Sequence, residues 1–157
     1  MLDKAKIIMK IIPYQDKYRD DLIFMILEAK NALGRVPGLN EDLLDIQKNY
    51  TDKGGMFWLA IDEHDRVIGS VGVSIMENEI ECYIHRLFIK YNQKHKGIGT
   101  ELLSTAEAYA IKKGKIATIV HLGKSKEQWF EAWAFYPKHG YVEIEDNIMR
   151  KELKKLY

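Results

Sequence analysis

Gly97 and Gly99, one residue apart and just behind the basic run Gln93-Lys94-His95-Lys96, are the residues of this 157-residue chain best placed to do chemistry. An apolar run, Tyr83 to Ile89, enters the turn, and Gly97-Ile98-Gly99-Thr100 opens directly into helical sequence. Two residues without a Cβ at that point leave a row of backbone N–H groups at the positive end of a helix dipole. A phosphate or pyrophosphate suits such donors, and the basic side chains just before them favour the same charge. Two nucleotide-binding patterns are excluded. A dinucleotide fingerprint needs a third small residue where Leu102 stands, and a P-loop needs a Gly-Lys-Ser/Thr ending that the turn lacks. On the strand that feeds the turn, alternation puts Glu81, Tyr83 and His85 on one face and Cys82 and Ile84 on the other.

The elements that position these residues are legible from periodicity. Lys6 to Ile12 reads as a strand ended by Pro13, and Asp16 to about Lys30 has helical apolar spacing. Asn31 to Leu39, with Gly34, Pro37 and Gly38, reads as a loop. Asn40 is a good N-cap for a second helix, with Leu39 set to staple against Leu44. Strands follow over Met56 to Ile61, Val67 to Ile75 and Ile80 to Lys90, joined by the turn Asp62 to Asp65 and by Glu77-Asn78-Glu79. The helix after the glycines runs to about Lys113, stopped by Gly114. A short strand (Ile116 to Leu122), a Trp-rich helix from Glu127 to Tyr136 stopped by Pro137, and strands Tyr141 to Ile144 and Ile148 to Glu152 complete the chain. This order predicts a mixed α/β sheet with helices on both faces.

Composition narrows the classes. The length suits one domain, 1–157, with residues 1–8 reading as an N-terminal extension. With 24 basic against 23 acidic side chains, no global field recruits nucleic acid or an anionic membrane. No apolar run approaches the roughly 20 residues of a membrane span, and the charged N-terminus is unlike a signal peptide, so a cytoplasmic location is expected. The lone Cys82 forms no internal disulfide and reads as a buried thiol. His64, His121 and His139 fall at turns or a strand end, without metal-ligand spacing. No metal is expected.

Two segments then carry a resemblance. Arg86-Leu87-Phe88-Ile89-Lys90-Tyr91, followed by Lys96-Gly97-Ile98-Gly99-Thr100-Glu101-Leu102-Leu103, resembles the acetyl-CoA-binding motif of the GNAT N-acetyltransferase superfamily, Arg/Gln-x-x-Gly-x-Gly/Ala between the fourth strand and third helix. Ala132-Trp133-Ala134-Phe135-Tyr136-Pro137-Lys138-His139-Gly140-Tyr141 resembles its Ala-x-x-x-Tyr-x-x-x-Gly-Phe/Tyr segment. The resemblance spans the chain from about Lys10 and implies a GNAT-like mixed, mostly antiparallel sheet of six to seven strands, flanked by helices on both faces. It implies acetyl transfer from acetyl-CoA to a primary amine of a small molecule or peptide, by direct attack in a ternary complex.

Residue by residue, the resemblance implies the following. The pyrophosphate would lie on the amides of Lys96, Gly97, Ile98, Gly99 and Thr100, beside Lys94 and His95, with a hydroxyl donor from Thr100. The pantetheine arm would pair with the backbone of Leu87, Phe88 and Ile89, and an N–H near Leu87 or Phe88 would meet the oxyanion. Tyr136 would protonate the departing thiolate, and Glu81 or His85 would take the amine proton, through water where needed. Two positions depart from the pattern. Lys94 replaces Arg/Gln and loses its planar fork, and Trp129 stands where an Asn is frequent, with Ser125 as a substitute. Those departures leave a second reading, a non-catalytic acyl-CoA-binding or regulatory module. The acceptor pocket is expected from the loop Asn31 to Leu39, the first two helices and the strand pair near Asp146. Apolar surface on the aromatic helix and last strands is compatible with a homodimer.

Overall fold

The strands β1 (Met9–Pro13), β2 (Met56–Asp62), β3 (Val67–Ile75), β4 (Glu81–Ile89), β5 (Ala117–His121), β6 (Val142–Glu145) and β7 (Ile148–Glu152) form one sheet in the order β1-β2-β3-β4-β5-β7-β6. The computed structural model describes residues 8–76, 79–123, 126, 127 and 129–154. Neighbours run antiparallel except β4 and β5, which are parallel and therefore need a crossover. Helix α3 (Ile98–Lys112) supplies it. The sheet is thus the mixed, mostly antiparallel one expected, with seven strands.

Helices cover both faces, which is why β2 and β3 read as continuous apolar runs. Phe57, Leu59 and Ile61 of β2 pack on one side with Leu22, Met25 and Ile26 of α1 (Arg19–Ala32). Trp58 and Ala60 face the other way, toward Ile98, Leu102, Leu103 and Ala106 of α3. Cys82 and Ile84 of β4 join the α3 side, and the Cys82 thiol is buried.

The second helix differs from expectation. Asn40 caps nothing; its Oδ1 instead accepts from Lys30 Nζ at 2.6 Å. Leu39 and Leu44 are 49% and 48% exposed, so the staple is not made. The chain makes a 3-10 turn over Glu41–Leu44, breaks at Asp45, and forms the single-turn α2 (Ile46–Asn49), followed by another 3-10 turn over Thr51–Lys53. Asp45 causes the break, because its carboxylate accepts from the Lys48 N–H at 3.0 Å and starts a new helix there. The last helix also shifts. It was expected over Glu127 to Tyr136 with Pro137 as its stop, whereas α4 spans Phe130–Lys138 with Pro137 inside it. In the last turn a proline removes only one amide, and the N–H groups of His139 and Tyr141 both reach the Tyr136 carbonyl. The part of the expected first strand before Ile8 lies outside the described residues.

β4 carries a bulge at Arg86, whose φ is 53. Its register with β3 shifts from Gly72↔His85 to Ser70↔Phe88. The extra residue resets the alternation. His85 and Arg86, though consecutive, both reach the α1 side, against Tyr50 and Asp42, while Leu87 and Ile89 turn to the α3 core.

Candidate active site

The two edges of β4 have different neighbours. β3 pairs with it as far as Gly69↔Ile89, whereas β5 pairs only from Glu81↔Ala117 to Ile84↔Val120. Beyond Ile84 the parallel strands part, and among the described residues His85 to Ile89 have no strand on the β5 side. Backbone donors and acceptors on such an edge call for partners. An extended ligand can lie against Leu87, Phe88 and Ile89 as an added strand would.

At the end of this edge stands α3. Its N-cap is Gly97, at φ 84 and ψ 2, and among the described residues no side chain caps the helix. The buried Ile98 anchors the first turn, leaving its amides to an outside acceptor. The two glycines differ in what they need. A Cβ on Gly97 would meet nothing within 4 Å, so the positive φ alone asks for glycine there. A Cβ on Gly99 would sit 3.4 Å from the Phe135 ring, an ordinary contact, so the protein itself leaves room for a methyl.

The basic residues of the turn have partners. Lys94 Nζ lies 2.6 Å from Glu131 Oε2, tying the turn to the start of α4. Lys96 Nζ reaches Gln93 Oε1 at 3.0 Å, and His95, with φ 62, is exposed. Thr100 Oγ1 is 3.0 Å from His139 Nε2, while His139 Nδ1 is 2.8 Å from the Phe135 carbonyl. A carbonyl only accepts, so in the neutral imidazole Nδ1 carries the proton and Thr100 donates to Nε2. His139, given no role from sequence, therefore fixes Thr100.

Tyr136 of α4 is buried in the α3-side core, its ring edge-on to Phe135 and Tyr141 at 5.3 and 5.2 Å. Burial, with the Glu107 carboxylate nearby, pushes its phenol above the ordinary value, so it keeps its proton throughout the neutral range. The Trp133 indole N–H on the same helix is buried and has no hydrogen-bond partner among the described residues. Such a donor is costly unless a ligand accepts from it. Trp129 lies against Gly123, where an added Cβ would be 1.8 Å from its Cε2. The Arg35 guanidinium carbon sits 3.5 Å from the centroid of the Trp129 ring. The segment after α1 is thereby joined to the start of α4. Ser125, the expected substitute for the missing Asn, lies outside the described residues.

The two base candidates are separated. Glu81 stands at the start of β4 and its carboxylate is held by Arg150 of β7. It is about 13 Å along the strand from His85. His85 borders the parted edge. Its Nε2 is 2.7 Å from Ser74 Oγ, and burial, reinforced by Arg86, holds its imidazole below the ordinary value and neutral at pH 7. Beside it, Arg86 makes a two-point contact with Asp42 at 2.8 and 3.1 Å, and the Tyr50 hydroxyl donates to Asp42 at 2.6 Å. Sequence alternation does not reveal this network, because it depends on the bulge. Among the described residues no three His, Cys, Asp or Glu side chains gather as metal ligands would, and no helix is long and apolar enough to cross a membrane.

Comparison with known proteins gives a consistent picture. The model of the Acetyltransferase (GNAT) family matches residues 23–141. Among solved structures, a GNAT-family acetyltransferase from Staphylococcus aureus Mu50 superposes with a TM-score of 0.82 at 24% identity, over 93% of this chain and 99% of that one. An acetyltransferase from Streptococcus agalactiae 2603 gives 0.80 at 17% identity, over 92% and 98%. The PaiA N-acetyltransferase from Thermoplasma acidophilum, in complex with coenzyme A, gives 0.71 at 22% identity, over 92% and 98%. At these identities the likeness is one of fold. No curated protein matches the chain significantly in sequence.

Proposed function

Because this chain belongs to the acetyltransferase (GNAT) family, we propose that it transfers the acetyl group of acetyl-CoA to a primary amine by direct attack in a ternary complex. The observation that carries this reading is the parting of β4 and β5 beyond Ile84, directly before the uncapped first turn of α3. The slot suits a pantetheine arm, and the turn from Lys96 to Thr100 suits a pyrophosphate. The Trp133 indole N–H, without a hydrogen-bond partner among the described residues, adds a donor on a side chain packed against the α3-side core. When bound, acetyl-CoA supplies an activated thioester carbonyl and a thiol leaving group.

The chain's own groups then divide the work. His85, neutral and bordering the slot, takes the proton of the attacking amine, directly or through water. A backbone N–H near Leu87 or Phe88 stabilises the oxyanion. As the C–S bond breaks and the C–N bond remains, Tyr136 gives its phenolic proton to the departing thiolate. Glu81, held by Arg150, keeps a supporting place at the foot of β4. The test is thiol release from acetyl-CoA across an amine panel, with Tyr136→Phe beside the parent. Tyr136→Phe is expected to lower kcat on the order of 10²-fold or more while CoA affinity holds. Tight CoA binding with no turnover on any amine would instead favour the non-catalytic module, the reading that Trp129 in the Asn position leaves open.

A further inference from the structure

On the α1 side of β4 lies positive charge that these steps do not use. Lys30, in the last turn of α1, is half-buried, and its ammonium donates to two uncharged oxygens, the Gly38 carbonyl at 2.9 Å and Asn40 Oδ1 at 2.6 Å. It stands 6.0 Å from the centroid of the Phe88 ring, just past the bulge. Burial and the neighbouring charges of Arg86 and Arg35 hold it below the ordinary lysine value, and Asp42 is the carboxylate that works against them. Asp42, however, is committed. Its two oxygens take the Arg86 guanidinium, and one of them also takes the Tyr50 hydroxyl. Lys30 itself makes no ion pair among the described residues.

A half-buried ammonium crowded by two guanidinium groups and given only neutral oxygens costs free energy. A ligand anion relieves that cost, and one of the three ammonium protons is still available for it. The location selects which ligand. Lys30 packs on the α1 face of β4, whereas the α3 amides that suit the pyrophosphate belong to the helix on the opposite face. An amine attacking a carbonyl held near Phe88 would bring its own substituents toward Lys30.

We propose that the acceptor carries an anionic group, carboxylate or phosphate, beside its amine, and that Lys30 binds that anion. This rests on the transferase reading above. The experiment measures acetyl transfer to matched pairs: α-amino acids against their carboxamides, and phosphoethanolamine against ethanolamine, for the parent, Lys30→Met and Lys30→Arg. The parent should favour the anionic member of one pair at least about tenfold in kcat/KM, and the favoured pair names the anion. Lys30→Met should erase most of that preference by raising KM for the anionic amine, with KM for acetyl-CoA and rates on the uncharged amine unchanged. Lys30→Arg should keep much of it. Equal use of charged and uncharged members, or a Lys30→Met effect shared by the uncharged amine or by acetyl-CoA, overturns the inference and leaves the transferase reading standing. Bound CoA with no turnover on any amine overturns both.

Discussion

His85 and Glu81 share a face in the strand pattern, and their partners separate them: a serine hydroxyl for one, a guanidinium for the other. The consequence for pH can be worked out. Burial and then Arg86 lower the His85 pKa from 6.5, so the imidazole is the neutral, proton-accepting form at pH 7. As pH falls through that lowered value the base is lost, and kcat/KM should drop along an acid limb centred below about 6.5. Stability should move in the same direction. The unfolded chain takes up the proton first, so the contribution of His85 is complete above about 6.5 and is lost as pH falls through the folded-state value. His85→Gln should remove this limb from the pH–rate profile, leaving only the limb set by the amine itself. A parental profile in that variant rules His85 out as the base. Local signals made His85, Tyr136 and the glycine pair legible as candidates, since each rests on strand alternation, motif register or the opening of one helix. Lys94 was legible as charge but not as a partner of Glu131, because that pairing joins residues 37 positions apart.

At the scale of elements, strands were easier to read than short helices. Val67–Ile75 and Ile148–Glu152 fall where they were expected, because turn residues bound them, Asp62 to Asp65 before the first and Asp146-Asn147 before the second. The region after Asn40 failed because Asn40, Asp42 and Asp45 are all N-cap residue types, and tertiary contacts decide which one acts. Asp42 goes to Arg86, Asn40 to Lys30, and Asp45 alone caps. The start of α4 was equally hidden, since Trp129 is held by Gly123 and Arg35 from two distant segments. This junction makes a prediction about coupling. In Gly123→Ala the new methyl would overlap the indole, so the ring must move, at a cost of about 1–3 kcal/mol. With Trp129→Ala already present, the same change should cost under about 0.5 kcal/mol, because nothing remains to displace. Urea unfolding of the four proteins in the cycle measures the difference. Additive effects would mean that Trp129 does not rest on Gly123 in solution.

For the molecule as a whole, near-balanced charge and a seven-stranded sheet say little about activity; the proposed function rests on one parallel pair in an otherwise antiparallel sheet, which separates beside a helix that no side chain caps among the described residues. That arrangement was legible as fold class from the order of elements, while the place where β4 and β5 part was not, because the extent of pairing is a tertiary property. It also links binding to global stability. A ligand spanning the slot and the α3 amides binds the folded chain alone. CoA at about 100 times its Kd should therefore stabilise by ~2.7 kcal/mol, raising Tm by about 5–10 °C for a chain of this size. ATP or NAD at equal concentration should give little shift. Gly99→Ala sharpens the test, since its methyl fits against Phe135 at 3.4 Å and should leave the ligand-free Tm close to the parent. If that methyl crowds the pyrophosphate and weakens binding about tenfold, the shift at the same CoA concentration falls to roughly half. An undiminished shift in Gly99→Ala would place the coenzyme elsewhere, and a shift with ATP or NAD but none with CoA would remove the transferase reading altogether.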